Sequence, residues 1–215
     1  MGKPGLVIFD CDGVLVDTER AAFEVSSSMA AEIGISLMFS EHERYFGMRD
    51  SDMFSDLARR HEIVLPNGFL ESLEDRKMAR YREGVSLLPG AVHAVRRIAD
   101  SKMSLCVASS ATLARTQVKL EPVGLLGYFD AHIFTAYDVP NGKPAPDLFL
   151  YAASAMGFVA EECVVIEDSL AGVQGAMEAG MRVFGYAPNG DKKRLSDMGA
   201  EVFVSMADVP GMLGL

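Results

Sequence analysis

Leu6-Val7-Ile8-Phe9-Asp10-Cys11-Asp12-Gly13-Val14-Leu15-Val16-Asp17 is the stretch on which the fold turns. Four apolar residues in succession, with no polar residue alternating among them, read as a strand buried on both faces, as in a parallel sheet. The run stops abruptly at Asp10, and Asp12 follows two positions later, just ahead of Gly13. Two carboxylates therefore stand at the carboxyl end of a buried strand, the edge at which open α/β sheets bind ligands.

Working outward, Ser104-Leu105-Cys106-Val107-Ala108, Ala131-His132-Ile133-Phe134 and Cys163-Val164-Val165-Ile166 have the same short, non-alternating character. Amphipathic stretches of helical period lie between them, such as Ala91 to Ala99 and Ala171 to Ala179, the latter followed by a Gly180 stop signal. Strands alternating with helices imply an α/β fold, a Rossmann-like parallel sheet covered by helices on both faces. From Thr18 to Gly84 the alternation breaks: helical patterns occupy Glu19 to Ile33, Asp50 to His61 and Phe69 to Arg82, with no buried strand among them. This block reads as an inserted helical cap, 18–84, on a core of 1–17 and 85–215. Extra helices packed on the sheet are the plainer alternative.

A chain of 215 residues suits one α/β unit with a smaller insert. Its 49% hydrophobic and 23% charged residues are ordinary for a globular protein. The net charge of −10 disfavours nucleic acid and anionic membranes as partners, so positive charge for an anionic substrate must be gathered locally. The amino terminus, Met1-Gly2-Lys3-Pro4-Gly5-Leu6, lacks a signal peptide's apolar segment, and Leu6 breaks the myristoylation pattern. No apolar run reaches the roughly 18 to 20 residues that span a bilayer. A cytoplasmic monomer is expected. Cys11, Cys106 and Cys163 are odd in number and widely spaced, which suits neither disulfides nor zinc. Cys11 lies between two aspartates, which raise a thiol pKa and suppress a redox role.

The carboxylates after the first strand suit nucleophilic chemistry. One can attack phosphorus and form an acyl-phosphate. The other can protonate the leaving group and later deprotonate water. Ser109-Ser110-Ala111-Thr112 closes the second strand ahead of a helix, where hydroxyls and free N–H groups suit a phosphate oxygen, or serve as plain N-caps. Gly142-Lys143-Pro144-Ala145-Pro146-Asp147 presents a lysine pre-ordered by two prolines. The fourth strand ends on Glu167-Asp168-Ser169, adjacent carboxylates that are costly to bury without a cation, a need that Mg²⁺ meets. A helix cap at Asp168 or Ser169 would leave Glu167 without a task. At one sheet edge these groups supply nucleophile, acid/base, phosphate clamp and metal carboxylates.

Asp10-x-Asp12-Gly13-Val14-Leu15-x-Asp17, Gly142-Lys143-Pro144-x-Pro146-Asp147 and Glu167-Asp168-Ser169-x-Ala171-Gly172 resemble the haloacid dehalogenase superfamily, in the branch of β-phosphoglucomutase and small sugar-phosphate phosphatases. The resemblance covers essentially the whole chain. It implies that Asp10 is the nucleophile and Asp12 the acid/base, whose presence favours phosphate over dehalogenation chemistry. Asp10, the Asp12 backbone carbonyl and Asp168 would hold Mg²⁺ with help from Glu167, while Ser109, Ser110 and Lys143 bind the phosphoryl group. The implied activity is Mg²⁺-dependent hydrolysis of a small phosphorylated metabolite, a sugar or sugar-acid phosphate, under a closing cap.

A β-phosphoglucomutase-like activity is the alternative. The mutase carries a histidine on its first cap helix, and here no histidine lies between Asp17 and Glu41. In its favour, Gly47-Met48-Arg49-Asp50 resembles the mutase loop whose arginine grips a substrate phosphate, and Lys77 matches a cap lysine. Otherwise Arg49 reads as a solvated charge at a helix start. A phosphonatase would need Lys77 as its Schiff-base lysine, and that residue comes late in the cap. An Asp-phosphorylated receiver domain shares the chemistry but lacks both the insert and the Asp-x-Asp arrangement.

Overall fold

The structure, a computed structural model, describes residues 3–129, 131–188 and 192–215. Met1 and Gly2, part of the amino-terminal reading, lie outside the described residues. β1 (Leu6–Phe9) and β2 (Val16–Asp17) lead into α1 (Glu19–Glu32), α2 (Phe39–His42), α3 (Asp50–Arg60) and α4 (Phe69–Arg82). Next come β3 (Ser86–Leu87), α5 (Ala91–Asp100), β4 (Ser104–Ser109), α6 (Leu113–Leu120), α7 (Leu126–Phe129), β5 (Ile133–Thr135) and α8 (Asp147–Ala155). The chain closes with β6 (Cys163–Glu167), α9 (Leu170–Glu178), β7 (Arg182–Tyr186), α10 (Lys192–Asp197), β8 (Glu201–Phe203) and α11 (Val209–Met212).

Six strands form one parallel sheet in the order β5-β4-β1-β6-β7-β8. β1 sits inside it, and its alternate residues serve two cores. Val7 and Phe9 pack on one face with Ala94, Val95 and Ile98 of α5. Leu6 and Ile8 pack on the other with Leu148, Phe149 and Ala152 of α8. Burial on both faces is why this strand has no polar alternation. α5 in turn offers Ala91, Ala94, Val95 and Ile98, spaced to make one apolar stripe.

The sequence reading omits β7 and β8, which extend the sheet, and it starts the third strand two residues early. β8 is an edge strand of three residues with an exposed Glu201, too short for a period to register.

Residues between β2 and β3 gather a third core, including Met29, Leu37, Met53, Phe54, Leu57, Phe69 and Leu73. β2 and β3 pair antiparallel, Asp17 opposite Ser86, in a small sheet of their own, so the two ends of the block lie side by side. Among the described residues no helix is long and apolar enough to cross a membrane.

Candidate active site

Asp10 follows β1 directly, and its backbone N–H donates to the Ile166 carbonyl of β6 at 3.0 Å. The Lys143 ammonium, fully buried, bridges three strand ends. It donates to Asp10 Oδ1 at 2.5 Å, to Glu167 Oε1 at 2.6 Å and to the Ala108 carbonyl of β4 at 3.0 Å. Burial alone would strip its proton, but Asp10 and Glu167 hold it firmly charged. The second Glu167 oxygen accepts from the Asp168 and Ser169 backbone N–H groups at 3.0 Å each and from Ser169 Oγ at 2.9 Å. Ser169 also caps α9, accepting from Gly172 N at 3.0 Å. The turn is thus a helix cap at Ser169, and Glu167 has buried bonds of its own to Lys143 and to the turn. A Cβ on Gly172 would lie 1.8 Å from Glu167 Oε1, so glycine is required there.

Carboxylate oxygens of Asp10, Glu167 and Asp168 lie within 4.8 Å of one another. Burial pushes the Asp10 carboxyl up to about 7, against the opposing pull of Lys143 and with reinforcement from Glu167 and Asp12. Burial also raises Asp168 well above the usual range, with Glu167, Asp10 and Glu19 adding repulsion. The cluster is short of positive charge and made of hard oxygen donors, a fit for Mg²⁺. Gly13 makes room for it: at φ +76° its Cβ would stand 1.9 Å from Asp168 Oδ2.

Asp12 has a lysine of its own. Lys119 of α6, 1% exposed, places Nζ 2.7 Å from Asp12 Oδ1 and 2.5 Å from Oδ2, and lies 5.5 Å from the centre of the Tyr81 ring. Thr18 Oγ1 also donates to Asp12 Oδ1. Burial favours the protonated acid, but Lys119, Thr18 and Arg115 outweigh it and hold the carboxyl below the usual range. Sequence reasoning missed both cations of α6. The one available signal was spacing, since Arg115 and Lys119 stand four apart and share a helix face.

Arg115 ties the inserted helices to the core, donating to Asp50 Oδ2 at 2.7 Å and pairing with Glu74 at 2.9 Å. Asp50 Oδ1 accepts from Lys77 at 2.5 Å. Burial works to raise the Asp50 carboxyl, yet the two cations hold it far below the usual range. The Arg49 guanidinium donates to Asp52 at 2.9 Å and to the carbonyls of Ala136 at 3.3 Å and Pro140 at 3.4 Å. Ser110 Oγ donates to the Gly47 carbonyl at 2.6 Å, while buried Ser109 Oγ accepts from Ala111 N at 3.1 Å.

A cavity lies between the inserted helices and this sheet edge. Its walls include Asp10, Asp12, Ser110 and Asp168 from the core side, and Arg49, Lys77 and His42 from the inserted block. Ser109 and Lys143 stand behind that wall, in contact with its residues. His42 stands at the end of α2, not on α1, the first helix of the insert. Cys11 is buried, and burial pushes its thiol far up, which keeps it from a thiolate role.

The sequence model of the haloacid dehalogenase-like hydrolases matches residues 7–186. The chain is 28% identical over 212 residues to the 6-phosphogluconate phosphatase of Escherichia coli (strain K12), covering 98% of this chain and 95% of that one. It is 31% identical over 211 residues to the phosphorylated carbohydrates phosphatase of Thermotoga maritima, covering 96% and 97%. Among solved structures, a HAD family hydrolase from Deinococcus radiodurans R1 with bound phosphate and sodium aligns at TM-score 0.75 and 33% identity, covering 100% of this chain and 98% of that one.

Proposed function

The chain belongs to the haloacid dehalogenase-like hydrolases and is a phosphatase of that family; we propose that it hydrolyses small phosphorylated sugars or sugar acids with Mg²⁺, through an aspartyl-phosphate on Asp10. The observation that carries this is the Lys143 bridge between Asp10 and Glu167 at 2.5 and 2.6 Å, with Asp12 and Asp168 at the same edge. A carboxylate so placed is oriented by a fixed cation and exposed to the cavity on one side only.

In this reading an Asp10 oxygen bonds to phosphorus as the ester P–O bond breaks, and Asp12 gives its proton to the leaving oxygen. Water then attacks the aspartyl-phosphate while Asp12 takes back a proton, and Asp10 is released with inorganic phosphate. Asp10, the Asp12 backbone carbonyl and Asp168 would hold Mg²⁺, with Glu167, which also holds Lys143, assisting directly or through water. The ion supplies positive charge against the transferring phosphoryl group. Lys143, Ser110 and the backbone beside Ser109 bind that group. Residues 18–84 act as the cap on a core of 1–17 and 85–215, and Arg49 and Lys77 shape its specificity. We place the enzyme in the cytoplasm as a monomer, with no nucleic acid or membrane partner. The net charge of −10 supports the last two points.

Incubation with Mg²⁺ and a panel of sugar phosphates, following free phosphate and isomerised sugar, tests the assignment. Phosphate release without isomerisation is expected, and isomer formation without net release would replace it with a phosphomutase.

A further inference from the structure

Residues 47–49 of the inserted block reach three loops at this sheet edge. Gly47 stands against the turn after β6, where a Cβ on it would lie 2.1 Å from Ser169 Oγ. Its carbonyl accepts from Ser110 Oγ, just after β4, at 2.6 Å. Arg49 reaches the loop that runs from β5 to Lys143. Its Nη1 donates to the Ala136 carbonyl at 3.3 Å and to the Pro140 carbonyl at 3.4 Å, and Nη2 donates to the latter at 3.5 Å. The arginine stem lies over buried Gly142, where a Cβ would come within 2.9 Å of Nε and 3.2 Å of Cγ and Cδ.

This pose decides what the arginine can do. Its Nε donates to Asp52 at 2.9 Å, an i,i+3 pair open enough to solvent to contribute little. The two carbonyls matter more, because they lie 87 and 91 residues away and tie the inserted block to the core. A guanidinium is a planar fork, so with all three nitrogens engaged it cannot turn to a substrate anion without leaving the core. Gripping the substrate would undo the contact that shuts the cavity over it.

Resting on the phosphatase and cap reading above, we infer that Arg49 is a positioning residue rather than a substrate ligand, clamping the cap to the loop that leads to Lys143 and completing the closed site for any phosphate ester. Its influence on specificity runs through the shape of that closed cavity. Gly142 is the seat of the clamp. Its backbone lies outside the left-handed region, so alanine fits it, and the three atoms nearest to the added methyl all belong to Arg49.

The test compares Arg49→Met and Gly142→Ala with the unaltered enzyme, with Mg²⁺ and either p-nitrophenyl phosphate, which has no second anion, or 6-phosphogluconate, which has one. Arg49→Met should lower kcat by about tenfold for both compounds. Gly142→Ala should reproduce that loss, and the double variant should be no slower than Arg49→Met. Undiminished turnover of p-nitrophenyl phosphate by Arg49→Met overturns the inference, as does a change confined to KM for 6-phosphogluconate. A fully active Gly142→Ala, or losses that multiply, overturns it too. Hydrogen exchange of the Mg²⁺-loaded proteins separates a lost clamp from a general loss of structure. Arg49→Met should speed exchange about tenfold at residues 45–49 and 136–142 while β1 and β6 stay as protected as before. Unchanged exchange at those two segments rejects the clamp alone, whereas no phosphate release from any compound by the unaltered protein rejects the phosphatase reading and the inference with it.

Discussion

The ammonium of Lys119 lies 2.7 and 2.5 Å from the two carboxylate oxygens of Asp12, across 107 residues of sequence. Each of the two aspartates proposed to be catalytic thus has its own buried lysine, Lys143 for Asp10 and Lys119 for Asp12. The two lysines do different work. Lys143 spans the sheet edge, whereas Lys119 pins a single side chain and favours its ionised form. An ionised Asp12 is ready to take a proton from water but must gain one before it can protonate a leaving group. In the proposed mechanism Lys119 would therefore set the balance between the two half-reactions.

Lys119→Met should lower kcat by about 10- to 100-fold, the usual scale for losing a group that orients a catalytic one. Asp12→Asn should lower it by about 10² to 10⁴-fold with metal binding intact. Because Lys119 acts through Asp12, the double variant should be no slower than Asp12→Asn. Steady-state rates for the three proteins decide the point, since losses that multiply would place Lys119 in some other role.

Asp50 is the link between Lys77 of α4 and Arg115 of α6. Its folded carboxyl lies below the unfolded value of 3.8, so its stabilising effect is complete above that pH and is lost as pH falls through the folded value. Asp50→Asn leaves Lys77 without its carboxylate and should cost about 3 kcal/mol at neutral pH. Denaturant melts across pH should show this difference shrinking in strong acid. A difference independent of pH would mean that the loss is packing rather than charge.

Asp10 titrates in the opposite sense. Its carboxyl is raised from 3.8 to about 7, so the metal-free protein gains stability from this group below 3.8 and loses it as pH rises through about 7. Mg²⁺ needs the deprotonated ligand and relieves the repulsion from Asp168 and Glu167. The rise in melting temperature on adding Mg²⁺ should therefore be larger at about pH 8 than at about pH 5.5. An equal rise at both would remove Asp10 from the ligand set.

Much of this site was legible because its chemistry falls where apolar strands stop. Asp10 and Glu167-Asp168 announce themselves as charges ending buried runs, and Lys143 by the prolines beside it. α6 was illegible for the converse reason. Its Leu113 is 47% exposed while Arg115 and Lys119 are buried, the reverse of what an amphipathic pattern suggests. Only partners distant in sequence, Asp50 and Asp12, make that inversion stable. The bonds of Glu167 to Lys143 and to the α9 turn were not legible in the sequence because they are tertiary, while its place beside Asp10 and Asp168 was.

The central claim is that Asp10 becomes phosphorylated. Acid quenching during turnover of p-nitrophenyl phosphate with Mg²⁺, followed by peptide mass spectrometry, tests it directly. The account predicts a phosphoryl group on the Asp10 peptide that appears during turnover, disappears as substrate is exhausted, and is absent from an inactive Asp10→Asn protein. A phosphoryl group on another residue, or undiminished turnover by Asp10→Asn, would contradict it.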